Sequence, residues 1–539
     1  MRPSKPTLIF LLLAAAGVAR IAATYRGVAQ TSDETPNIAC GMQYLDLGRY
    51  DYGPFHPPLA RLAIAVGPYL YGARAQNRDD RWHEGNAVLN SAPRPGKALT
   101  LARLGILPFF LIACTVVWLW GRRLLGEWGA LAPVFVFTNL PPVLAHAGLA
   151  TMDMAVCAGV CTALFAFTLW LEKGTLRRSV FLGIGLALAV LCKFSALLLL
   201  PVSIAAISLL QPRARQKRNW AWIPVAFFLI WGAYSFSFGP IVSDHKAAGE
   251  DEILGRLPPP LLHLLETVAV PAPELIQGVW QVKQHVVEGH TAYLLGRHSY
   301  HGWWYFFPVA LAVKTPLAIL LLVGLGVWAL RRATFRESLG AMAVPAVLTA
   351  AILVVNLPTT INIGVRYMLP LYPFLALTAG IGTVWLWRRW RIGVVILLAW
   401  AAISGALAHP DYIAYFNELG GAHPERILVD SDLDWGQDMA RLGKELDRRR
   451  VPYLHMACLY TGDDTRLGLP AWDSLEPYQP VTGWIAVSHT MLQNYGWTAA
   501  QQRGRKDLAF AWLEQYQPVG RVGKSILLYY IPAVDSGRK

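Results

Sequence analysis

Charged residues are scarce in this sequence. Asp, Glu, Lys and Arg make up 15% of its 539 residues and hydrophobic residues 55%, whereas about 25% of a typical soluble domain is charged. Cysteine is also scarce: the six cysteines include no Cys-X-X-Cys pair, which predicts neither a disulfide framework nor a zinc site. The composition therefore excludes a soluble enzyme, and the cysteines argue against redox chemistry.

Long apolar runs are what the sequence has instead. A transmembrane helix needs about 20 predominantly apolar residues, and about eleven runs approach that length. The runs lie near residues 7–24, 99–120, 127–147, 150–171, 179–193, 194–211, 219–239, 305–330, 338–357, 366–387 and 391–408. We predict an α-helical polytopic membrane protein, although the first run also has features of a cleaved signal peptide.

Basic residues in alternate short connections predict the orientation. They are Arg2, Lys5, Arg122, Arg123, Lys173, Arg177, Arg178, Arg213, Arg215, Lys217, Arg218, Arg331, Arg332, Arg336, Arg388, Arg389 and Arg391. Short cytoplasmic loops of membrane proteins carry an excess of Lys and Arg, so we predict a cytoplasmic N-terminus in a cell (inner) membrane. The net charge of +14 is then explained by the basic cytoplasmic loops. A basic protein can also be a nucleic-acid binder, but the charge no longer indicates that function here.

Three long segments lie on the predicted extracytoplasmic side. The loops 26–98 and 240–302 interrupt a transmembrane domain of residues 1–408, and residues 409–539 form a tail. Short apolar runs in the tail alternate with polar segments, which predicts a small α/β domain. Amphipathic stretches at 36–48 and 57–72 predict interfacial helices in the first loop. Because long loops are usually functional, we expect the chemistry on this side.

Two adjacent carboxylates, Asp33 and Glu34, follow the first apolar run. A carboxylate at the membrane surface can act as a general base on a hydroxyl. Alternatively, both residues are solvated acids at the start of a helix, where negative charge is favourable. The residues alone leave both interpretations open.

Asp153 lies at the outer start of the fourth run, and Lys193, Arg366 and Lys314 lie on the same predicted side. An ionisable group at the edge of hydrocarbon often faces a functional cavity, although Asp153 also suits a first helical turn. Snorkelling would explain Lys193 and Arg366. Lys314 is about ten residues into the eighth run, roughly 13 Å deep, and therefore needs a buried partner or an anionic ligand.

Two histidines and an acidic segment have structural interpretations. His56 precedes two prolines and suits a turn. His301 belongs to an aromatic segment that would anchor the eighth run, although it could also face the same cavity as the cations. The alternating carboxylates of 430–438 suggest a calcium loop, but the EF-hand glycine and final glutamate are out of place. We predict a turn and a helix N-cap there.

Several of these residues lie in short motifs. The motifs are Asp33-Glu34, His56-Pro57-Pro58-Leu59, Thr151-Met152-Asp153, Lys193-Phe194-Ser195, the segments 302–308 and 313–317, Ile361-Asn362-Ile363-Gly364-Val365-Arg366-Tyr367, 415–419 and 434–438. In this order they resemble the phospholipid-carrier-dependent glycosyltransferases. These are integral-membrane enzymes of the GT-C architecture, similar to protein O-mannosyltransferases and to the bacterial aminoarabinose transferase that acts on lipid A.

The resemblance implies transfer of a sugar from a polyprenyl-phosphate carrier to an acceptor hydroxyl, with inversion at the anomeric carbon. By position, it implies that Asp33 is the general base, Glu34 its neighbour and Asp153 a second catalytic carboxylate. It also implies that His56 contacts the carrier phosphate, where the aminoarabinose enzyme has a lysine.

A neutral imidazole is a weak phosphate partner, so we expect cations to assist His56. Arg366 and Lys193 are the first candidates, and Lys314 and His301 complete the predicted carrier-phosphate and substrate-binding residues. The metal-binding glutamate of the aminoarabinose enzyme has no counterpart, because Phe55 precedes His56. We therefore predict no obligatory divalent metal and no cofactor besides the lipid-linked donor.

The expected partners are the polyprenyl-phosphate sugar, a lipid, glycan or protein acceptor, and the bilayer. The leading alternative is a transporter or flippase of lipid-linked sugars, in which intramembrane Lys and Asp would be pathway residues. Transporters often have paired broken helices, and no such repeat is evident in the sequence. A non-catalytic scaffold is a third possibility, which requires Asp33 to be dispensable.

Overall fold

The computed structural model describes residues 3–211, 218–242, 258–332 and 336–533. Outside these ranges lie Arg2, Arg213, Arg215 and Lys217 of the predicted basic connections, and residues 243–257 of the predicted second outer loop. The described chain is mainly helical, as the apolar runs predict.

The first half of the described chain is built almost entirely of helices. They are α1 (Lys5–Thr24), α2 (Glu34–Leu47), α3 (Pro58–Leu70), α4 (Arg81–Ser91), α5 (Pro95–Leu104), α6 (Leu107–Gly129), α7 (Leu131–Thr138), α8 (Pro141–Ala147), α9 (Asp153–Glu172), α10 (Leu176–Cys192), α11 (Ser195–Leu210) and α12 (Trp222–Ala233).

The second half mixes helices with short strands. The helices are α13 (Pro259–Thr267), α14 (Pro273–Glu288), α15 (Phe306–Lys314), α16 (Leu317–Arg332), α17 (Arg336–Asn356), α18 (Tyr372–Trp387), α19 (Arg391–Leu407), α20 (Met439–Arg448) and α21 (Gly496–Gln502). A 3₁₀ segment, Val365–Leu371, leads into α18. Two-stranded ribbons pair β1 (Phe238–Pro240) with β2 (Ala269–Pro271) and β3 (Ala292–Leu294) with β4 (Arg297–Ser299).

Fewer helices than predicted are long and apolar enough to cross a membrane. Within the described ranges, four pass on length and composition: Lys5–Thr24, Pro95–Gly129, Asp153–Glu172 and Val365–Trp387. The bent pair α15 and α16 would make a fifth. Shorter apolar helices, among them α11, α12 and α19, lie at other predicted runs. The predicted number of about eleven transmembrane spans is therefore not confirmed. The presence of several apolar helices is confirmed.

Two predicted runs are broken rather than continuous. The run 305–330 bends by 113° between α15 and α16, because Thr315 is extended, as a residue before proline prefers to be, and Pro316 cannot continue a helix. Lys314 therefore ends a short helix and is not midway along a straight span, which corrects the sequence-based expectation. The run 127–147 forms two short helices, α7 and α8.

The predicted interfacial segments are helical. Stretches 36–48 and 57–72 correspond to α2 and α3, which pack against each other. Helix α3 turns Ala60 and Ile64 inward and leaves Leu70 exposed. The first loop also contains α4, which begins where the Asp80 carboxylate accepts hydrogen bonds from the backbone N–H groups of Trp82 and His83.

Helices α9 and α10 pack closely, and this contact places two charged residues side by side. A Cβ on Gly159 of α9 would lie 2.6 Å from the Cα of Ala189 in α10, so only glycine permits this approach. Because the helices are antiparallel and joined by a short connection, Asp153 at the start of α9 lies beside Lys193 just after α10.

The tail contains a five-stranded sheet. Its strands are β5 (Tyr453–Ala457), β6 (Ala471–Ser474), β7 (Gly483–Ser488), β8 (Gly520–Val522) and β9 (Ile526–Ile531), in the order β6-β5-β7-β9-β8. Strand β5 is parallel to β6 and β7, whereas β9 is antiparallel to β7 and β8. Apolar residues of α20 pack on one face of the sheet. The predicted boundary at residue 409 stays a prediction.

The tail is joined to the segment that precedes α2. The backbone N–H of Ala29 donates to Gln437 O at 2.9 Å, and that of Ser32 donates to Trp435 O at 3.1 Å. The Thr461 hydroxyl donates to Ser32 O at 3.0 Å. The backbone on which Asp33 sits is thus held by the tail.

Candidate active site

Four charged side chains meet where separate elements end or begin. Asp33 precedes α2, Asp153 opens α9, Lys193 follows α10, and Arg366 lies in the 3₁₀ segment before α18. Each of the four is a site residue predicted from the sequence, and the structure brings them together. We call this group the charge cluster.

Arg366 is the centre of the charge cluster. Its Nη1 donates a hydrogen bond to Asp33 Oδ2 and lies 3.9 Å from Asp153 Oδ2. The other carboxylate oxygen of Asp153 accepts a hydrogen bond from Lys193 Nζ at 2.7 Å. Two anions and two cations therefore alternate, and their mutual attraction offsets the free-energy cost of burying them.

Exposure separates Asp33 from the other three residues. The side chain of Asp33 is 43% exposed, whereas those of Arg366, Lys193 and Asp153 are 8%, 9% and 3% exposed. The Asp33 carboxylate also makes no capping hydrogen bond to α2. Asp33 is thus the group of the charge cluster that an incoming molecule can reach.

The tail covers Arg366. Its guanidinium lies 4.3 Å from the ring centre of Trp435, and the Nε of Arg366 is buried with no hydrogen-bond partner in the described part of the chain. Lys193 likewise lies 4.6 Å from the ring centre of Tyr367. Arg366 and Lys193 each lie over an aromatic ring. The Nε of Arg366 remains as a strong donor for an anion.

The backbone around Arg366 is held by two residues of the tail. Asp432 Oδ1 accepts a hydrogen bond from the N–H of Val365 at 3.0 Å, and the Ser431 hydroxyl donates to Ile363 O. Gly364 has φ of +142°, and a Cβ there would lie 2.3 Å from Ser431 Oγ. Only glycine lets the two segments approach this closely.

Glu34 is buried and fully bonded, unlike Asp33. Its Oε1 accepts from Arg103 Nε at 2.7 Å and from the Ala150 N–H at 2.9 Å. Its Oε2 accepts from Arg103 Nη2 at 2.8 Å and from the Thr31 N–H at 2.9 Å. These contacts favour a positioning role, and the catalytic role predicted for Glu34 stays a prediction.

His56 closes a turn near the charge cluster. Its N–H bonds Gly53 O at 3.3 Å, and its Nδ1 is buried without a partner among the described residues. Burial of the ring, together with the nearby cations Arg61 and Lys193, holds the pKa of His56 well below its usual value. The imidazole is therefore neutral and able to share a hydrogen bond with a phosphate, and its predicted contact with one stays a prediction.

Lys314 is tied to the tail. Its Nζ donates to Ile413 O at 2.7 Å and to Asp432 O at 2.5 Å, and lies 4.3 Å from the ring centre of Phe416. The sequence predicted that Lys314 needs a buried partner, and two backbone carbonyl groups provide it. Through these contacts the ammonium joins α15 to the tail, and the predicted substrate-binding role of Lys314 stays a prediction.

His301 lies in the turn that follows β4. It is exposed, and its backbone N–H bonds Ser299 Oγ at 3.0 Å in the turn after β4. Among the described residues, no hydrogen bond or ion pair joins His301 to the four charged side chains. Its predicted substrate-binding role stays a prediction.

The acidic segment 430–438 sends its carboxylates in different directions. Asp434 accepts from the N–H of Thr490 at 2.9 Å, and Asp438 accepts from the N–H groups of Lys524 and Ser525 at 2.8 and 3.1 Å. Asp438 stands at the N-cap of α20 but makes no capping bond, so the predicted helix N-cap is wrong in its contacts. In the described ranges, no three His, Cys, Asp or Glu side chains are grouped to hold a metal.

Sequence reasoning missed Arg103, Trp435 and Ser431. Arg103 was hidden at the start of an apolar run, where a charge with no counter-ion in that run could have signalled a partner elsewhere. Trp435 lies inside a motif that carried the resemblance. For Ser431 we find no signal in the sequence, because its partner is 68 residues away along the chain.

One family model matches part of the chain. Residues 96–234 match the model described as Dolichyl-phosphate-mannose-protein mannosyltransferase. This stretch contains Arg103, Asp153 and Lys193. No curated protein sequence matches the chain.

Solved structures of two membrane glycosyltransferases are similar to this one. Archaeal oligosaccharyltransferase AglB from Archaeoglobus fulgidus, in complex with an inhibitory peptide and a dolichol-phosphate, gives a TM-score of 0.50 at 10% identity, over 95% of this chain and 72% of that chain. ArnT from Cupriavidus metallidurans, bound to undecaprenyl phosphate, gives 0.49 at 12% identity, over 96% and 97%. The predicted resemblance is confirmed: this multi-pass membrane protein shares the fold of AglB, and residues 96–234 match the dolichyl-phosphate-mannose-protein mannosyltransferase family.

Proposed function

We propose that this protein transfers a sugar from a polyprenyl-phosphate carrier to an acceptor hydroxyl, with Asp33 as the general base. The observation that carries the proposal is the contact between Arg366 and Asp33: an accessible carboxylate lies beside a buried cation that has an unused donor. The match to a lipid-phosphate-dependent mannosyltransferase family over residues 96–234 supports the same chemistry.

The proposed reaction is a single displacement. The acceptor oxygen bonds the anomeric carbon while the bond from that carbon to the phosphate oxygen breaks, and the configuration inverts. Asp33 takes the acceptor proton. The polyprenyl phosphate leaves with the electron pair, and Arg366 and Lys193 stabilise its growing charge.

Asp153 is proposed to hold the two cations in place. It lies between Lys193 and Arg366 and is almost fully buried, so it keeps both cations charged and oriented before the carrier binds. When the carrier phosphate reaches Arg366, it competes with Asp33 for the guanidinium. Asp33 is then released to accept the proton. His56 would contribute a neutral hydrogen-bonding group to the phosphate.

The decisive experiment is transfer from a polyprenyl-phosphate sugar in membranes by the Asp33→Asn variant. Transfer is expected to fall about 10²- to 10⁴-fold, which is the usual contribution of a general base. The control is Asp51→Asn, because Asp51 lies in the same loop and pairs with Arg49 at 2.7 Å, and no described hydrogen bond or ion pair joins it to the charge cluster. Unchanged transfer by Asp33→Asn, with folding intact, would refute the mechanism.

The product distinguishes the enzyme from the alternative flippase. A transferase releases free polyprenyl phosphate and inverts the anomeric carbon, both of which NMR and mass spectrometry of the products detect. A flippase or transporter moves the lipid-linked sugar without breaking its bond to phosphate. Movement without cleavage would therefore favour the transporter.

The proposal places the reaction on the extracytoplasmic side, with the N-terminus in the cytoplasm. Five of the native cysteines are buried and Cys458 is half-buried, so introduced cysteines can be labelled in a Cys458→Ser background. A membrane-impermeant reagent added outside is expected to label Arg49→Cys and not Arg388→Cys. The opposite pattern would reverse the topology.

We also propose that no divalent metal is required, because side-chain cations are available for the leaving phosphate. Chelation with EDTA is expected to leave transfer unchanged. Loss of activity that added metal restores would refute this part of the proposal and leave the role of Asp33 intact.

A further inference from the structure

A cavity with one arginine in its wall lies at the far end of α9 and α10, opposite the end that carries Asp153 and Lys193. Asp153 opens α9, and Trp170 lies near its far end, about 25 Å away at 1.5 Å per residue. This cavity of 240 Å³ opens there, between the ends of α9, α10 and α11 and the start of α12. It is remote from the proposed reaction.

The cavity has an apolar interior with aromatic walls. Aliphatic side chains from α10 and α11 line it, including Leu182 and Ile204, and Trp170, Trp220 and Trp222 complete the wall. The Trp170 and Trp220 rings are 5.4 Å apart, centre to centre. Tryptophan is enriched where membranes meet water, so these three rings suit the depth of a lipid's headgroup and the first part of its chain.

Two hydrogen-bond donors in the cavity wall are buried and unused. They are Nη2 of Arg218 and Nε1 of Trp222, and neither has a partner in the described ranges. Arg218 is the charged residue among those that line the cavity, and its guanidinium lies 5.0 Å from the ring centre of Trp170. Buried donors are normally satisfied, so both are available to a bound ligand.

The backbone beside Arg218 is firmly held. The N–H of Asn219 donates to Gly174 O at 2.9 Å, and Asn219 O accepts from Trp170 Nε1 and from the Ser179 hydroxyl, each at 2.9 Å. These bonds clamp the segment that enters α12 against the connection between α9 and α10. The backbone that follows Arg218 is therefore fixed at Asn219, and the guanidinium lies beside Trp170.

We propose that this cavity binds an anionic glycerophospholipid of the surrounding membrane. The phosphate accepts hydrogen bonds from Arg218 and Trp222, and part of one acyl chain fills the apolar interior. Arginine is suited to phosphate because its planar donors match the phosphate oxygens. Basic pockets between membrane helices are suited to acidic headgroups for the same reason.

The test is native mass spectrometry of the full-length protein in detergent, titrated with phosphatidylglycerol. Arg218→Gln is expected to lower the apparent affinity about tenfold, through loss of one charge-assisted hydrogen bond. The matched control is Arg389→Gln, because Arg389 also lies over a tryptophan, 4.0 Å from the ring centre of Trp385, but is exposed and does not line the cavity. An equal effect of both variants, or of neither, would overturn the proposal.

Two further titrations identify the ligand. Phosphatidylcholine with the same chains is expected to bind more weakly than phosphatidylglycerol, and inorganic phosphate is expected not to displace the lipid. Equal binding of phosphatidylcholine would overturn the preference for an anionic lipid, and displacement by phosphate would assign the site to a free anion.

A second variant tests the interior independently of charge. Ser208 lines the cavity, and Ser208→Trp is expected to fill it and reduce phosphatidylglycerol binding while Arg218 is retained. Thermal unfolding of each variant in detergent shows whether it is folded. Unchanged lipid binding by folded Ser208→Trp would overturn the assignment of the cavity to the acyl chain.

Discussion

Asp33 and Glu34 are neighbours in the chain and opposites in environment. Asp33 is nearly half exposed and pairs with Arg366. Glu34 is inaccessible, and both oxygens of its carboxylate are occupied by Arg103 and by two backbone N–H groups. One carboxylate is available to a substrate, whereas the other is bonded on every side.

The comparison shows that the accessible carboxylate of Asp33 is positioned by contacts that its buried neighbour Glu34 makes. The Glu34–Arg103 pair ties the start of α2 to α5 and, through Ala150, to the segment before α9. Those are the elements that present Asp33 and Asp153. A buried ion pair of this kind orders the site, and an accessible one can exchange partners.

The largest expected effect is on stability, from Glu34→Gln. Removing the charge leaves Arg103 buried without its counter-ion, which typically costs about 3–5 kcal/mol. Unfolding in detergent, followed by circular dichroism, measures it. Asp33→Asn should cost less than about 1 kcal/mol, because its ion pair is partly solvated. Equal losses for the two variants would break the comparison.

Asp434 is a buried acid that forms no ion pair within the described ranges, and it should make the stability of the protein depend on pH. Burial raises the pKa of Asp434 to about 6, and its donors include the neutral Thr490 N–H. A raised native pKa means that the neutral carboxyl is favoured in the folded state. The stability it contributes is complete below about pH 4 and is lost as pH rises through 6.

Asp434→Asn should therefore flatten the dependence of stability on pH. Between pH 4 and 7 the difference in unfolding free energy between variant and parent is expected to change by about 3 kcal/mol, in favour of the variant at high pH. Denaturant titrations across this range measure it. Parallel curves for the two proteins would contradict the raised pKa.

The Lys314→Met variant tests whether the charge of Lys314 stabilises the fold or binds the substrate. The variant loses the donors to Ile413 O and Asp432 O, and the orphaned carbonyls should cost about 2 kcal/mol of stability. Carrier binding, measured with a fluorescent polyprenyl phosphate, should be retained. Weaker carrier binding at unchanged stability would instead support the substrate-binding role predicted from the sequence.

The smallest expected effect is that of Arg366→Lys on transfer. A lysine keeps the charge but has one ammonium, which cannot contact Asp33, approach Asp153 and lie over the ring of Trp435 together. We expect about a tenfold loss of transfer, equivalent to one charge-assisted hydrogen bond. Full activity would mean that only the charge of Arg366 matters.

Much of the site was predictable from residue type and position. A carboxylate or cation next to a long apolar run is costly unless it faces a partner or a cavity, which drew attention to Asp153, whereas the family resemblance was needed to assign roles to Asp33, Lys193 and Arg366. The same reasoning marked Lys314 correctly as needing a partner. It could not say that the partner would be carbonyls of the tail rather than a ligand.

The missed features depend on contacts between distant parts of the chain. Trp435 covers Arg366, and Ser431 requires Gly364, only because the tail folds back over the 3₁₀ segment. The bend at Thr315 and Pro316 was visible in the sequence, yet the hydropathy of the run obscured it. Hydropathy averages over a window, whereas a proline acts at one peptide.

The sequence by itself determined that the chain is a helical membrane protein and which charges stand at the ends of its apolar runs, because both follow from the cost of exposing polar groups to hydrocarbon. The tertiary structure alone decided that Asp33 is accessible while Glu34 is paired with Arg103. Adjacent residues on one turn point in different directions, and the neighbours each side chain meets come from helices far away in the chain.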